Sequence, residues 1–105
     1  WQRALAKVFA DVDIILSPTL PTLIPPVEEE KSLLEATKDA TRNTYAGAFG
    51  KLPGLSIPCG FTSDGLPAGL QLEASWWNEP LLLKVGAAFQ RVTNWHTYKP
   101  EMAKI

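Results

Sequence analysis

Apolar residues at Trp1, Leu5, Val8, Phe9 and Val12 recur with the 3.6-residue period of a helix, and Gln2, Arg3, Lys7 and Asp11 fall on the opposite side. This spacing predicts an amphipathic helix with no capping residue before it, the expectation for a chain that continues upstream. Val12–Leu16 is a continuous apolar run of strand length, which predicts a strand buried on both faces. Ser17–Pro26 then carries four prolines in ten residues, so an extended loop is expected. Val27–Lys31 reads as its acidic, solvated continuation.

Ser32-Leu33-Leu34-Glu35 has the form of a capping box, in which the serine accepts from one free amide and the glutamate returns to another. A helix is predicted from about Leu33 to about Phe49, with Leu34, Thr37, Thr41, Thr44 and Tyr45 along one side and Gly47 and Gly50 loosening its end. Two apolar strand-like runs follow, Leu55–Pro58 and Leu66–Leu72, around a turn at Thr62-Ser63-Asp64-Gly65. Asp-Gly suits a tight turn that needs positive φ, so the pair reads as a hairpin. Pro58 and Pro67 each remove a ladder donor and therefore mark strand ends or edges. Asn78-Glu79-Pro80 is a second helix start, with Leu81, Leu82, Val85, Ala88, Phe89 and Val92 as the apolar face. Asn94 is expected to end it, leaving 95–105 as an irregular tail. Helix, strand, loop, helix, two strands, helix is the order of an α/β layered fold with a sheet of about three strands, fewer than usual. One edge of so narrow a sheet is expected to have been made for covering.

Composition narrows the function classes. The 105 residues are 46% hydrophobic, enough for one small domain with a core. Ten basic against eleven acidic side chains leave a net charge of -1, so neither nucleic acid nor an anionic membrane has electrostatic support. No apolar stretch approaches transmembrane length and no signal-peptide pattern opens the chain. The single cysteine, Cys59, fits a reducing compartment, and the cytoplasm is the expected location.

The chemistry-bearing side chains are few. His96, the one histidine, stands in a polar tail without a carboxylate, Cys or His cluster, so a surface histidine is favoured over a base or ligand, and no metal or other cofactor is expected. Cys59 has no evident base to make it a thiolate. Ser56, in Gly54-Leu55-Ser56-Ile57-Pro58, lacks the second glycine and following helix of a nucleophile elbow and reads as a strand residue. Glu28-Glu29-Glu30 reads as a solvated run ahead of a helix N-terminus. Trp76-Trp77 suits packing with one ring inward and the other at an interface. Strand-end and helix positions are where an α/β enzyme places substrate contacts. Ser17, Thr19, Thr41, Thr44 and Tyr45 are therefore the pocket candidates, against the alternative that their hydroxyls satisfy local backbone.

Gly54-Leu-Ser-Ile-Pro-Cys-Gly-Phe61, followed by Asp64-Gly-Leu-Pro-Ala-Gly-Leu-Gln-Leu72, resembles the C-terminal part of the amidase signature family. That family includes bacterial amidases and the A subunit of glutamyl-tRNA amidotransferase. Asp11–Thr19 is similar to its buried strand ending in a Thr/Ser-Pro-Thr loop, and Glu79–Arg91 to its closing helix. The resemblance implies part of one large mixed sheet, and amide hydrolysis in which a serine attacks, a second serine relays the proton and a lysine is the base. Those residues lie upstream in the family, and no such segment occurs here, so the chain is expected to be the tail of a longer amidase, inactive alone. It would supply sheet, a pocket wall for a small amide substrate and possible homo-oligomer surface, with the upstream catalytic portion as its partner. The alternatives are a noncatalytic α/β binding module and a subunit of a tRNA-dependent amidotransferase. In the amidotransferase an aspartate near the position of Thr41 is believed to hold the substrate's amino group; here that position is neutral. The family's usual Asn before the leucine-proline step is Ala48 here, and its Gly is Lys51.

Overall fold

A computed structural model describes residues 1–26 and 32–104. The acidic run Glu28-Glu29-Glu30 lies outside the described residues. Helix α1 (Gln2–Asp11) leads into strand β1 (Ile14–Pro18), and the next helices are α2 (Leu33–Thr41) and α3 (Tyr45–Phe49). The hairpin β2 (Gly54–Phe61) and β3 (Pro67–Ala74), helix α4 (Glu79–Val92) and two short 3-10 turns, Trp95–Thr97 and Glu101–Lys104, complete the chain. The α/β class is as expected, and the strands pair antiparallel in the order β1-β3-β2. Among the described residues no helix is long and apolar enough to cross a membrane.

The hairpin forms where its turn chemistry places it. Gly65 takes φ 81°, and Thr62 N–H donates to the Leu66 carbonyl at 2.8 Å. Thr19 N–H donates to Gly69 O (2.9 Å) and Ala74 N–H donates to Pro53 O (3.2 Å). Because bonding alternates along antiparallel ladders, Gly69, Gln71 and Glu73 pair with β1, while Leu70, Leu72 and Ala74 pair with β2. Pro58 thus falls where β2 turns its backbone away from β3, and its missing donor costs the ladder nothing. A bulge at Cys59 follows.

The same alternation sorts the side chains. Leu72, Ala74 and Ile57 are buried against Leu82 of α4, with Ile14, Leu55, Leu70, Val85 and Phe89 packed around them. Each large apolar side chain buried there contributes about 1.5–3 kcal/mol. Gly86 brings α4 close to this layer: a Cβ there would lie 2.8 Å from Leu55 Cδ2. On the other side, α1 packs on α3 through Leu5 against Gly50 and through Trp1 Nε1–H, which donates to Ala46 O at 3.0 Å.

Four expectations need correcting. The run read as a strand buried on both faces is an edge strand, and Leu16 is 64% exposed, because α4 packs chiefly over β2 and β3. The single helix over 33–49 is broken at Arg42-Asn43-Thr44, where Asn43 bonds to the sheet. Asn78 precedes α4 as expected but makes no side-chain cap bond; its carbonyl instead accepts from Leu81 N–H at 3.2 Å. The tail is not wholly irregular, since Trp95 stacks on Tyr98 and both meet Phe61 edge-on. Ser32 caps α2 as predicted, accepting from Glu35 N–H at 3.2 Å.

Lys51 follows the C-cap of α3 at φ 60°, the left-handed region in which helices commonly end on glycine. Its side chain is exposed, so little packing depends on it. Lys51→Gly is expected to raise the unfolding free energy by roughly 0.5–1 kcal/mol through relief of the Cβ clash. A higher urea midpoint at unchanged slope checks this, and an unchanged or lower midpoint contradicts it.

Candidate functional site

One sheet face is polar, and it follows from the period-two sequence Gly69-Leu70-Gln71-Leu72-Glu73-Ala74, whose odd positions turn away from α4. Cross-strand register places Ser17, Gln71 and Ser56 in one row and Thr19 beside Gly69 in the next. The Thr19 and Ser56 hydroxyls meet at 2.6 Å, bridging the two outer strands above the central one. Gly69 permits this, because a Cβ there would stand 2.8 Å from Thr19 Oγ1 and 3.1 Å from Ser56 Oγ. Gln71, buried at 7% exposure, donates from Nε2 to the Asn43 carbonyl at 3.0 Å. Asn43 in turn donates from Nδ2 to the Pro18 carbonyl at 3.0 Å. The break between α2 and α3 is therefore stitched down onto the polar face by both strands it crosses.

The five pocket candidates separate in the structure. Ser17 and Thr19 lie on the polar face, half-buried, and Thr19 is engaged with Ser56. Thr41 and Thr44 are half-buried in the crossing segment, and each hydroxyl donates within it: Thr41 to Thr37 O at 2.7 Å and Thr44 to Thr41 O at 3.2 Å. Such back-bonding satisfies the local backbone and favours a bend. Tyr45 is 63% exposed. A groove of about 910 Å³ runs between the proline-rich loop, α2 and the hairpin turn, lined by Leu20, Leu23, Pro26, Ala40, Asp39 and Gly69 among others. None of the five candidates lines it.

Four residues at this face are not among the site candidates: Asn43 and Glu73, which no motif marks, and Ser56 and Gln71, which stand inside the two family-like motifs with no bonding role assigned there. Glu73 packs its carboxylate against Gly47 of α3. Burial pushes its carboxyl above the ordinary value, offset in part by a hydrogen bond with Gln71. A carboxyl whose folded pKa exceeds its unfolded one holds more protons when folded. Its contribution favours the fold below the unfolded pKa and declines as pH rises through the folded one. Glu73→Gln is expected to flatten that decline, and equal falls in thermal midpoint between acid and neutral pH in both proteins would contradict it.

Paired hydroxyls present an outward O–H and lone pairs, suited to holding an amide or carbonyl group. Among the described residues no side-chain base is bonded to either hydroxyl. His96 is exposed on the 3-10 turn after α4, and Cys59 Sγ, half-buried, contacts Ala68 O at 3.6 Å. No group of metal-ligating side chains occurs among the described residues. The geometry is that of a wall that can orient a ligand, without a nucleophile–base pair among the residues described.

A model of the family described as Amidase matches residues 1–83. The A subunit of glutamyl-tRNA(Gln) amidotransferase from Chloroflexus aggregans is 41% identical over 103 residues, covering 98% of this chain and 21% of the relative. The protein of the same name from Thiobacillus denitrificans is 41% identical over 97 residues, covering 91% of this chain and 20% of the relative. The chain thus spans about a fifth of the length of these curated relatives. Among solved structures, 6-aminohexanoate cyclic dimer hydrolase superposes with a TM-score of 0.82 at 24% identity, over 97% of this chain and 23% of that one, a likeness of fold. The A subunit of glutamyl-tRNA(Gln) amidotransferase from Thermotoga maritima gives a TM-score of 0.62 at 30% identity, over 70% of this chain and 16% of that one. On the family match and the identity to these relatives, the chain belongs to the amidase signature family.

Proposed function

We propose that residues 1–105 serve as the C-terminal portion of an amidase that cleaves carbon–nitrogen amide bonds through a serine acyl-enzyme. The family match over 1–83 carries this reading. The nucleophile, relay serine and lysine base belong to the upstream portion of the same polypeptide, which is the partner this segment requires. The segment supplies sheet and a pocket wall, with Ser17, Thr19, Thr41, Thr44 and Tyr45 toward a small amide substrate. It needs no cofactor, nucleic acid or membrane, acts in the cytoplasm and offers surface for a homo-oligomer.

Purified 1–105 is expected to show no turnover of a simple amide such as propionamide. The longer polypeptide is expected to turn it over and to lose that activity to a serine-directed sulfonyl fluoride. Inhibitor-sensitive turnover by 1–105 alone, or none by the longer polypeptide, overturns the reading.

A second reading, a subunit of a tRNA-dependent amidotransferase, draws support from the names of the relatives at 41% identity. The neutral Thr41 counts against it. Saturable binding to the other subunits of such an enzyme would favour it over a free-standing hydrolase. A noncatalytic α/β module would instead behave as a monomer in gel filtration with no dependence on an upstream portion.

A further inference from the structure

We infer that Asn43 is the positioning residue of the substrate wall, setting the spacing between Ser17 and Thr19 at the end of β1 and Thr41 and Thr44 in the crossing segment; this rests on the amidase reading above. These four candidates fall into two groups far apart in the chain. Pro18 stands between Ser17 and Thr19, and Asn43 between Thr41 and Thr44. The 3.0 Å bond from Asn43 Nδ2 to the Pro18 carbonyl therefore joins the two groups at their midpoints. The central strand fixes the same residue a second time, because Gln71 Nε2 donates to Asn43 O at 3.0 Å. Gln71 is itself held by burial, at 7% exposure, so it is a firm point of attachment.

The packing of α2 makes this attachment matter. None of its residues is buried, so its place over the sheet depends on its C-terminal end. The threonine hydroxyls there turn back on the helix, Thr41 to Thr37 O and Thr44 to Thr41 O, and shape the bend without reaching the sheet. Beyond the break, α3 is tied to α1 by the bond from Trp1 to Ala46 O. Asn43 is thus the point at which the bend is registered against β1 and β3. The two groups it joins offer opposite chemistry. Thr41 and Thr44 commit their O–H groups to backbone carbonyls and keep lone pairs with which to accept. The Thr19–Ser56 pair spends one O–H between its two oxygens and keeps the other to donate. A primary amide presents N–H donors and a carbonyl acceptor, the complement of the two groups. A shift of the bend changes the distance between them and so weakens the hold on that substrate.

Steady-state kinetics of the longer amidase polypeptide with propionamide, together with residue-by-residue amide exchange, test this. Asn43→Ala is expected to raise KM about 5- to 10-fold with kcat within about twofold, the signature of lost substrate binding. Asn43→Asp keeps the volume and loses the donor, so it is expected to restore nothing, whereas a packing role would make it milder than Asn43→Ala. Gln71→Met removes the second bond at similar side-chain length, is expected to raise KM in the same way, and decides the matter if the Asn43 variants do not fold. The Thr44 amide is expected to exchange at least about tenfold faster in Asn43→Ala while the Leu72 amide holds. An unmoved KM in Asn43→Ala, or in Gln71→Met where it stands in, overturns the proposal, as does a KM restored by Asn43→Asp. If the unaltered polypeptide hydrolyses no amide, the amidase reading falls by itself. Thr44 exchange then decides the anchor: faster exchange in Asn43→Ala keeps it, and an unchanged rate removes it too.

Discussion

Replacing Leu72 with alanine is expected to lower the unfolding free energy by about 2–5 kcal/mol, the range for emptying a packed leucine site. Leu72 is 1% exposed and lies at the centre of the central strand, opposite Leu16 on one side and Leu55 on the other. It is also the largest wholly enclosed side chain among the described residues, so its truncation leaves a cavity in the packed core. A chain of this size has a total stability of about 5–15 kcal/mol, so the loss consumes a large fraction of it. Leu70→Ala is the comparison, because Leu70 shares the strand and face but is only half-buried. Urea unfolding should place the Leu72→Ala midpoint well below that of Leu70→Ala. Equal midpoints would mean that the core is not centred where the burial places it.

Why the hairpin is legible in the sequence and the site is not is a matter of range. The turn at Thr62–Gly65 and the prolines at its flanks act within a few residues, so local chemistry specifies them. The capping serine of α2 is equally local. The break between α2 and α3 is different, because Asn43 finds its partners 25 and 28 residues away, at Pro18 and Gln71. A run of helix formers carries no sign of bonds to a sheet not yet assembled. Ser56 taken singly raises only the question of a nucleophile, and its meeting with Thr19 emerges when register brings the outer strands into line across Gly69. The alternation from Gly69 to Ala74 is the available signal for the polar face, since Gln71 and Glu73 interrupt an otherwise apolar strand. Continuous apolarity in Val12–Leu16 predicts burial on both faces. Nothing in that run signals its place at the edge of the sheet, where Leu16 is left uncovered by the described residues.

Trp76→Ala is expected to cost about 3 kcal/mol or somewhat more, toward the lower end for a packed tryptophan because the ring is only half-buried. Trp76 leaves the end of β3 and meets the helical layer above the polar face at two points. Its ring packs edge-on against Phe9 of α1, with centroids 6.4 Å apart at 70°. Its Nε1–H donates to the carbonyl of Gly50, a buried residue at the end of α3, at 2.8 Å. Trp77 next to it is 90% exposed, so the pair divides its work as an inward anchor and an outward ring. Trp76→Phe separates the two contributions: it keeps much of the apolar contact with Phe9 and removes the donor to Gly50. About 1–3 kcal/mol is expected for that loss, the cost of stranding a buried carbonyl. The effect should also be local before it is global. Amide exchange in α1 and α3 should quicken in Trp76→Phe while the amides of Leu70 and Leu72 hold, because the β2–β3 ladder does not depend on the indole. Uniform acceleration through the sheet would instead mean that the helical layer and the sheet open as one unit, and the indole would then be part of the core rather than the tie that holds α1 and α3 to it.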